Sequence, residues 1–227
     1  MKMKFYKLVL FFTVLVFFTN CQEQKQIVVA QTYEEPADPS PNKTEKWSAV
    51  PKGLNVSVAS QNIRFVKSEI PKIEQSNSWK KEAWKGERVS AQMVLWSNDS
   101  VNKVDVEISD FTSEDGTVLS SNIAQLRFVK YVITDEFAGG CGYRKPEDFA
   151  SSLAADALEP VTSYQIKAQE TRPIWLTVDV PQNAKPSTYT STVTLNIEGQ
   201  DSKEFKFQLN VLDKTLPVGT DWKFHLD

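Results

Sequence analysis

From Leu54 onward, apolar and polar residues alternate with a period of two, as in strands with one face in a core and one in water. Leu54, Val56 and Val58 mark the first such strand, and Ile63 to Val66 is a short apolar run. After the punctuating Gly86, Arg88 to Trp96 sets Val89, Ala91, Met93 and Leu95 on one face. Val104, Val106 and Ile108 alternate with Asp105, Glu107 and Ser109, and Glu114-Asp115-Gly116 supplies a turn. Leu126 to Thr134 reads as a longer strand and Thr162 to Ile166 as a short one. Arg172 to Val180 places Ile174, Leu176, Val178 and Val180 opposite Trp175, Thr177 and Asp179. Tyr189 to Ile197 and Phe205 to Val211 flank Glu198 to Lys203 as a hairpin. Its inward faces are Tyr189, Ser191, Val193, Leu195, Ile197 and Phe205, Phe207, Leu209, Val211.

No segment keeps a helical period for ten residues, although Pro146 to Leu158, with Pro146 near a first helical position, is expected to form a helical turn or two. Turn signals recur roughly every 8–12 residues. The pattern predicts an all-β fold, an antiparallel β-sandwich of immunoglobulin-like or jelly-roll-like type.

Two stretches interrupt the alternation. Phe128 to Pro160 leaves its strand through the acidic pair Asp135-Glu136 and turns at Gly139-Gly140-Cys141-Gly142. It then presents Tyr143, Arg144 and Asp148 before the next strand. Loops on a rigid scaffold are where function concentrates. The second stretch, SNSWKKEAWKGE, reads as a lysine-rich connector carrying Trp79 and Trp84. These indoles suit either sugar stacking or packing on a sandwich edge.

Composition adds an address. Lys2, Lys4 and Lys7 precede the apolar run Leu8 to Phe18, which is shorter than the ~20 residues of a spanning helix and fits a secretory leader. Phe18-Thr19-Asn20-Cys21 resembles a bacterial lipobox with Cys21 as the lipid attachment residue; the other reading is a plain signal peptide with an incidental cysteine. Gln22 to Lys52, with Pro36, Pro39 and Pro41, buries too little apolar surface to offset its ordering entropy. The expected organisation is a signal peptide at 1–20, a flexible tether at 21–52, the sandwich at 53–217, and the start of a linker or of a further domain at 218–227. The chain is thus expected to be an exported lipoprotein of the outer membrane, facing the periplasm or the exterior, with the membrane met through its lipid.

Acylation of Cys21 leaves Cys141 alone, and a lone cysteine in a glycine-rich corner is most often a small buried hydrophobe. The single histidine is His225. Neither a metal site nor a Cys/His nucleophile is supported, and no cofactor is expected. The formal charge of −3 comes without a basic patch, so nucleic acid is not an expected partner. Trp222, Phe224 and Leu226 alternate after Pro217 like the first strand of something further.

Lys85 to Gln92, RFVKYVITDEFAGGCGYRKPEDFASSLAADAL, Arg172 to Val178 with Val180-Pro181, Tyr189 to Leu195, LNVLDKTLP and WKFHLD together resemble the N-terminal domain of glycoside hydrolase family 123. The resemblance implies a β-sandwich followed by a (β/α)8 barrel in a β-N-acetylgalactosaminidase-like enzyme. It also implies retaining hydrolysis assisted by the substrate's own acetamido group. The family carries its catalytic Asp-Glu pair on the barrel, so no catalytic residue is expected in this chain. Asp135 and Glu136 are expected instead to order the loop or meet the barrel, with Tyr143 and Arg144 reaching across. The implied partners are that barrel and a glycan containing N-acetylhexosamine. A lipid-anchored carbohydrate-binding module using Trp79, Trp84, Tyr143 and Arg144 is the alternative.

Overall fold

The computed structural model describes residues 34–39, 41, 45–134 and 152–221. The expectations for Cys21, Asp135, Glu136, Cys141, Tyr143, Arg144 and His225 lie outside the described residues.

The described residues form two sheets and no α-helix. One sheet has five strands in the order β1 (Asn55–Ala59), β3 (Arg88–Ser97), β10 (Glu170–Asp179), β7 (Ala124–Thr134), β8 (Ser152–Glu159). The other runs β2 (Ser78–Lys85), β12 (Lys203–Thr215), β11 (Ser187–Ile197), β4 (Val101–Ile108), β9 (Ser163–Ile166). To it β5 (Phe111–Ser113) and β6 (Val118–Leu119) are added beside β11. The main core lies between the sheets, where Met93, Leu95, Ile174 and Leu176 are joined by Val104, Val193, Phe207 and Leu209. These are the inward positions of the period-two pattern, and the hairpin faces of β11 and β12 are buried as expected. Each fully buried side chain of this size stabilises the fold by about 1.5–3 kcal/mol relative to exposure.

Three features depart from the sequence reading. The supposed connector at 78–85 is the edge strand β2, paired parallel to β12 with Trp79 beside Phe207. Only Trp79 and Ala83 turn apolar groups to the core, and the intervening lysines hide the alternation while guarding the edge. The sandwich is therefore mixed rather than purely antiparallel, because alternation reports the buried face and carries nothing about strand direction. Ser152 to Leu158, expected as part of a helical turn, is instead β8, paired antiparallel to β7. Its alanines favour helix intrinsically, but hydrogen bonding to β7 and burial of Leu153 and Ala154 outweigh that preference.

The third departure is a strap across the outer face of the five-stranded sheet. Strand β3 is apolar on both faces, and its second face must also be covered. Val94 and Trp96 form a second small core with Trp47 and Phe65, flanked by Val50, Ala59, Ile70 and Ile73. Thr171 ties the strap down, its N–H donating to Lys67 O at 2.9 Å and its hydroxyl to Glu69 O at 2.6 Å. Part of the stretch expected as tether is thus built onto the sandwich, through Trp47 and through Glu35.

Candidate functional site

Strands β7 and β8 flank the connection 135–151 in sequence, and an ionic clamp is built between β7, β10 and the 34–39 segment. Arg172 has the same parity as Ile174, so its side chain enters the core side of β10 and is only 1 % exposed. All five of its N–H donors are used. Nε and Nη2 donate to Glu170 Oε1 at 2.8 and 2.5 Å. Nη1 and Nη2 meet the two oxygens of Glu35 end-on, the second at 2.9 Å. Nη1 also donates to the Val129 carbonyl of β7 at 2.9 Å. The guanidinium lies between two rings, its carbon 5.0 Å from the Tyr131 centroid and 4.8 Å from that of Tyr164.

Glu35 extends the clamp. It accepts from the Tyr131 N–H at 2.9 Å and from Lys67 Nζ at 2.5 Å. The Tyr131 hydroxyl donates to Thr171 O at 2.9 Å, and Lys130 pairs with Glu159 across β7 and β8 at 2.8 Å between largely buried side chains. Burial alone would push the Glu35 carboxyl up. The hydrogen bonds and charge of Arg172, with Lys67 and the Tyr131 N–H, hold it instead at about 2. Burial works against the Arg172 cation too, but Glu35 and Glu170 raise it above its ordinary range. Burial pushes the Tyr164 phenol up to about 12 and the Tyr131 phenol higher still. Acid catalysis near neutral pH needs a carboxyl shifted upward; Glu35 is shifted the other way, so the clamp holds structure.

Beside the clamp, on the sheet's outer face, a pocket of about 370 Å³ opens under the strap. Trp175 of β10 and its cross-strand partner Gln92 of β3 line its base, with Val129 of β7 and Leu158 of β8. Gln61 and Arg64 of the strap and Asp156 of β8 bring polar groups. Asp156 is where the β7–β8 register slips: Lys130 pairs with Ala157 and Tyr131 with Ala155, leaving Asp156 as the extra residue of a bulge. Bulges re-aim side chains and gather at functional sites.

The two predicted tryptophans do not share a platform. They stand five positions apart on β2, an odd separation that sends them to opposite faces. Trp79 packs inward, its ring centroid 5.5 Å from that of Phe207. Trp84 is 39 % exposed, with Lys214 Nζ 5.7 Å from its ring centroid. The residues that do converge, Gln92, Asp156 and Trp175, sat within the recognised stretches, yet nothing local marked them as neighbours. For Arg172 one signal was available: parity puts it on the core face, where a cation requires carboxylates. Among the described residues no three His, Cys, Asp or Glu side chains group as metal ligands, and no helix is long and apolar enough to cross a membrane.

The sequence profile of the glycoside hydrolase 123 N-terminal domain matches residues 58–197. Among solved structures, a family 123 glycoside hydrolase from Clostridium perfringens, described for glycolipid glycan hydrolysis, superposes with a TM-score of 0.65 at 24 % identity. That match covers 73 % of this chain and 28 % of the hydrolase chain, so the chain spans little more than a quarter of that relative. The ASH/PapD-like domain of human CEP192 aligns at 10 % identity and a TM-score of 0.37, over 81 % of this chain and 97 % of that domain. No curated protein matches the sequence.

Proposed function

Because the chain belongs to the glycoside hydrolase 123 N-terminal domain family, we propose that it is the non-catalytic β-sandwich of a β-N-acetylgalactosaminidase-like enzyme. In this reading it seats a (β/α)8 catalytic barrel and holds the 135–151 connection against it. The observation that supports it is the clamp. Contacts from β10, from Lys67 of the strap and from Glu35 converge on residues 129–131 of β7, a few residues before that connection in sequence. A loop that must meet another domain in one geometry needs such a rigid base. The outward Ile133 of β7, 50 % exposed at the end of the strand that leads into that connection, gives apolar surface for a contact.

Asp135, Glu136, Tyr143 and Arg144 are interdomain or glycan contacts in this reading, and the barrel supplies the acid chemistry. Cys21 carries the lipid and 21–33 acts as the tether, anchoring the enzyme in the outer membrane where it meets N-acetylhexosamine glycans. The test compares the 227-residue chain with the same domain joined to its barrel, assayed on an aryl β-N-acetylgalactosaminide. The two-domain protein is expected to turn the substrate over and the chain alone is not. Turnover by the chain alone, lost on changing Asp135→Asn and Glu136→Gln, would overturn the reading. Labelled fatty acid is expected in the wild-type protein expressed in a diderm bacterium; incorporation that persists in Cys21→Ser contradicts the anchor.

A further inference from the structure

We propose that the pocket around Trp175 binds a single neutral pyranose unit of a glycan. The choice of a saccharide rests on the family reading above, and the site itself rests on three features of the pocket. First, the Trp175 indole lies half-buried on a central strand, fixed by pairing with Gln92 on one side and Arg127 on the other. With Ile63, Val129 and Leu158 around it, the ring offers a rigid apolar surface for the C–H face of a sugar.

Second, Gln92 is locked in one orientation. Its Nε2 donates to the Ser60 carbonyl at 2.8 Å and the Ile63 carbonyl at 3.0 Å. Two acceptors there demand the amide nitrogen, so Oε1 must turn the other way. Among the described residues no donor reaches Oε1, and Gln92 is only 4 % exposed. No buried side-chain polar atom among the described residues lacks a partner, so this fixed acceptor is open to the pocket and can receive a ligand hydroxyl or amide N–H. Third, the bulge turns Asp156 to the same pocket, where Arg64 brings the opposite charge. Among the described lining residues, one carboxylate, one guanidinium and two amides carry no net charge, which suits a neutral ligand. The volume of about 370 Å³ falls in the range of small-molecule sites.

The test uses the 227-residue chain and the two-domain enzyme, titrated with N-acetylgalactosamine, N-acetylglucosamine, galactose and glucose. Tryptophan fluorescence and amide shifts of Gln92, Asp156 and Trp175 report binding. At least one of these sugars is expected to saturate the signal in both proteins, and Trp175→Ala to weaken its binding about tenfold or more. Asp156→Asn is expected to weaken it several-fold, while Trp84→Ala leaves it unchanged; Tm and amide dispersion verify that each variant is folded. Binding that survives Trp175→Ala in a folded protein overturns the proposal, as does the absence of any saturable shift at these residues. So does protection of the pocket by the barrel in the two-domain enzyme, which would make it a docking socket. Aryl N-acetylgalactosaminide turnover separates the two readings: intact turnover without sugar binding removes this site alone, and absent turnover removes the assigned activity.

Discussion

Replacing Glu35 by alanine is expected to be among the most damaging single changes available in this domain, although Glu35 belongs to no strand. The change deletes both oxygens that face Arg172, together with the acceptor for the Tyr131 N–H and the partner of Lys67. Arg172 keeps Glu170 and the Val129 carbonyl but is left as a cation at 1 % exposure with half of its counter-charge gone. Breaking a buried ion pair from one side costs about 3–5 kcal/mol. A second route gives a similar size. A carboxyl moved from 4.5 to about 2 contributes roughly 3 kcal/mol at neutral pH.

Because the folded value is depressed, that contribution is present above the unfolded value of 4.5. It is lost as pH falls from there through about 2. For a domain of this size the loss corresponds to a Tm lower by roughly 6–12 °C. The assay is urea unfolding of wild type and Glu35→Ala at several pH values between 7 and 2.5. The two are expected to differ by about 3 kcal/mol at pH 7 and to converge toward the acid end. A difference below about 1 kcal/mol at pH 7, or one that does not change with pH, would refute the argument that Glu35 is held as a buried anion by Arg172.

The two tryptophans of β2 should separate cleanly: Trp79→Ala removes a ring packed on Phe207 and is expected to cost about 2–4 kcal/mol, whereas Trp84→Ala should stay within about 1 kcal/mol, both read by chemical denaturation. Glycine substitutions divide backbone strain from steric contact. Gly53 and Gly116 hold nearly the same φ, 83° and 80°, so alanine strains both backbones by about 1–2 kcal/mol. At Gly53 the new Cβ would stand 2.6 Å from the Gln200 Oε1 that accepts from Leu54 N–H, while at Gly116 nothing lies within 4 Å. Gly53→Ala should therefore be the worse of the two in a thermal melt, and equal losses would contradict the contact argument.

Much of the framework was legible because a two-sheet sandwich writes itself locally. Strands β4, β11 and β12 each show one face to the core and one to water, so alternation alone assigned Val104, Val106, Tyr189, Val193, Phe207 and Leu209 inward. The reading lost its grip where that condition fails. Strand β2 sits on an edge and buries little, so its lysines read as a connector. Strand β8 is Ala-rich, and what makes it a strand is its pairing with β7. Strand β3 is apolar on both faces, and its second face is covered by the stretches 47–50 and 65–73 on either side of β1, which have no strand pattern of their own.

The candidate site divides along the same line. The loop at 128–160 announced itself as the break in the pattern, and its residues carry the family resemblance. Its foundation did not, because Glu35 and Arg172 stand 137 positions apart and only the folded chain brings the carboxylate to the guanidinium. Likewise Trp175 read simply as the outward side of β10, and Gln92 as a polar residue of β3. The sheet register sets them side by side, the strap closes over them, and a one-residue bulge adds Asp156. Which residues leave water could be read along the chain, since burial of one face follows from a periodicity of sequence neighbours. Which buried charges and polar groups meet was decided only by tertiary structure, because hydrogen bonds and ion pairs act across a few ångströms of space whatever the separation in sequence.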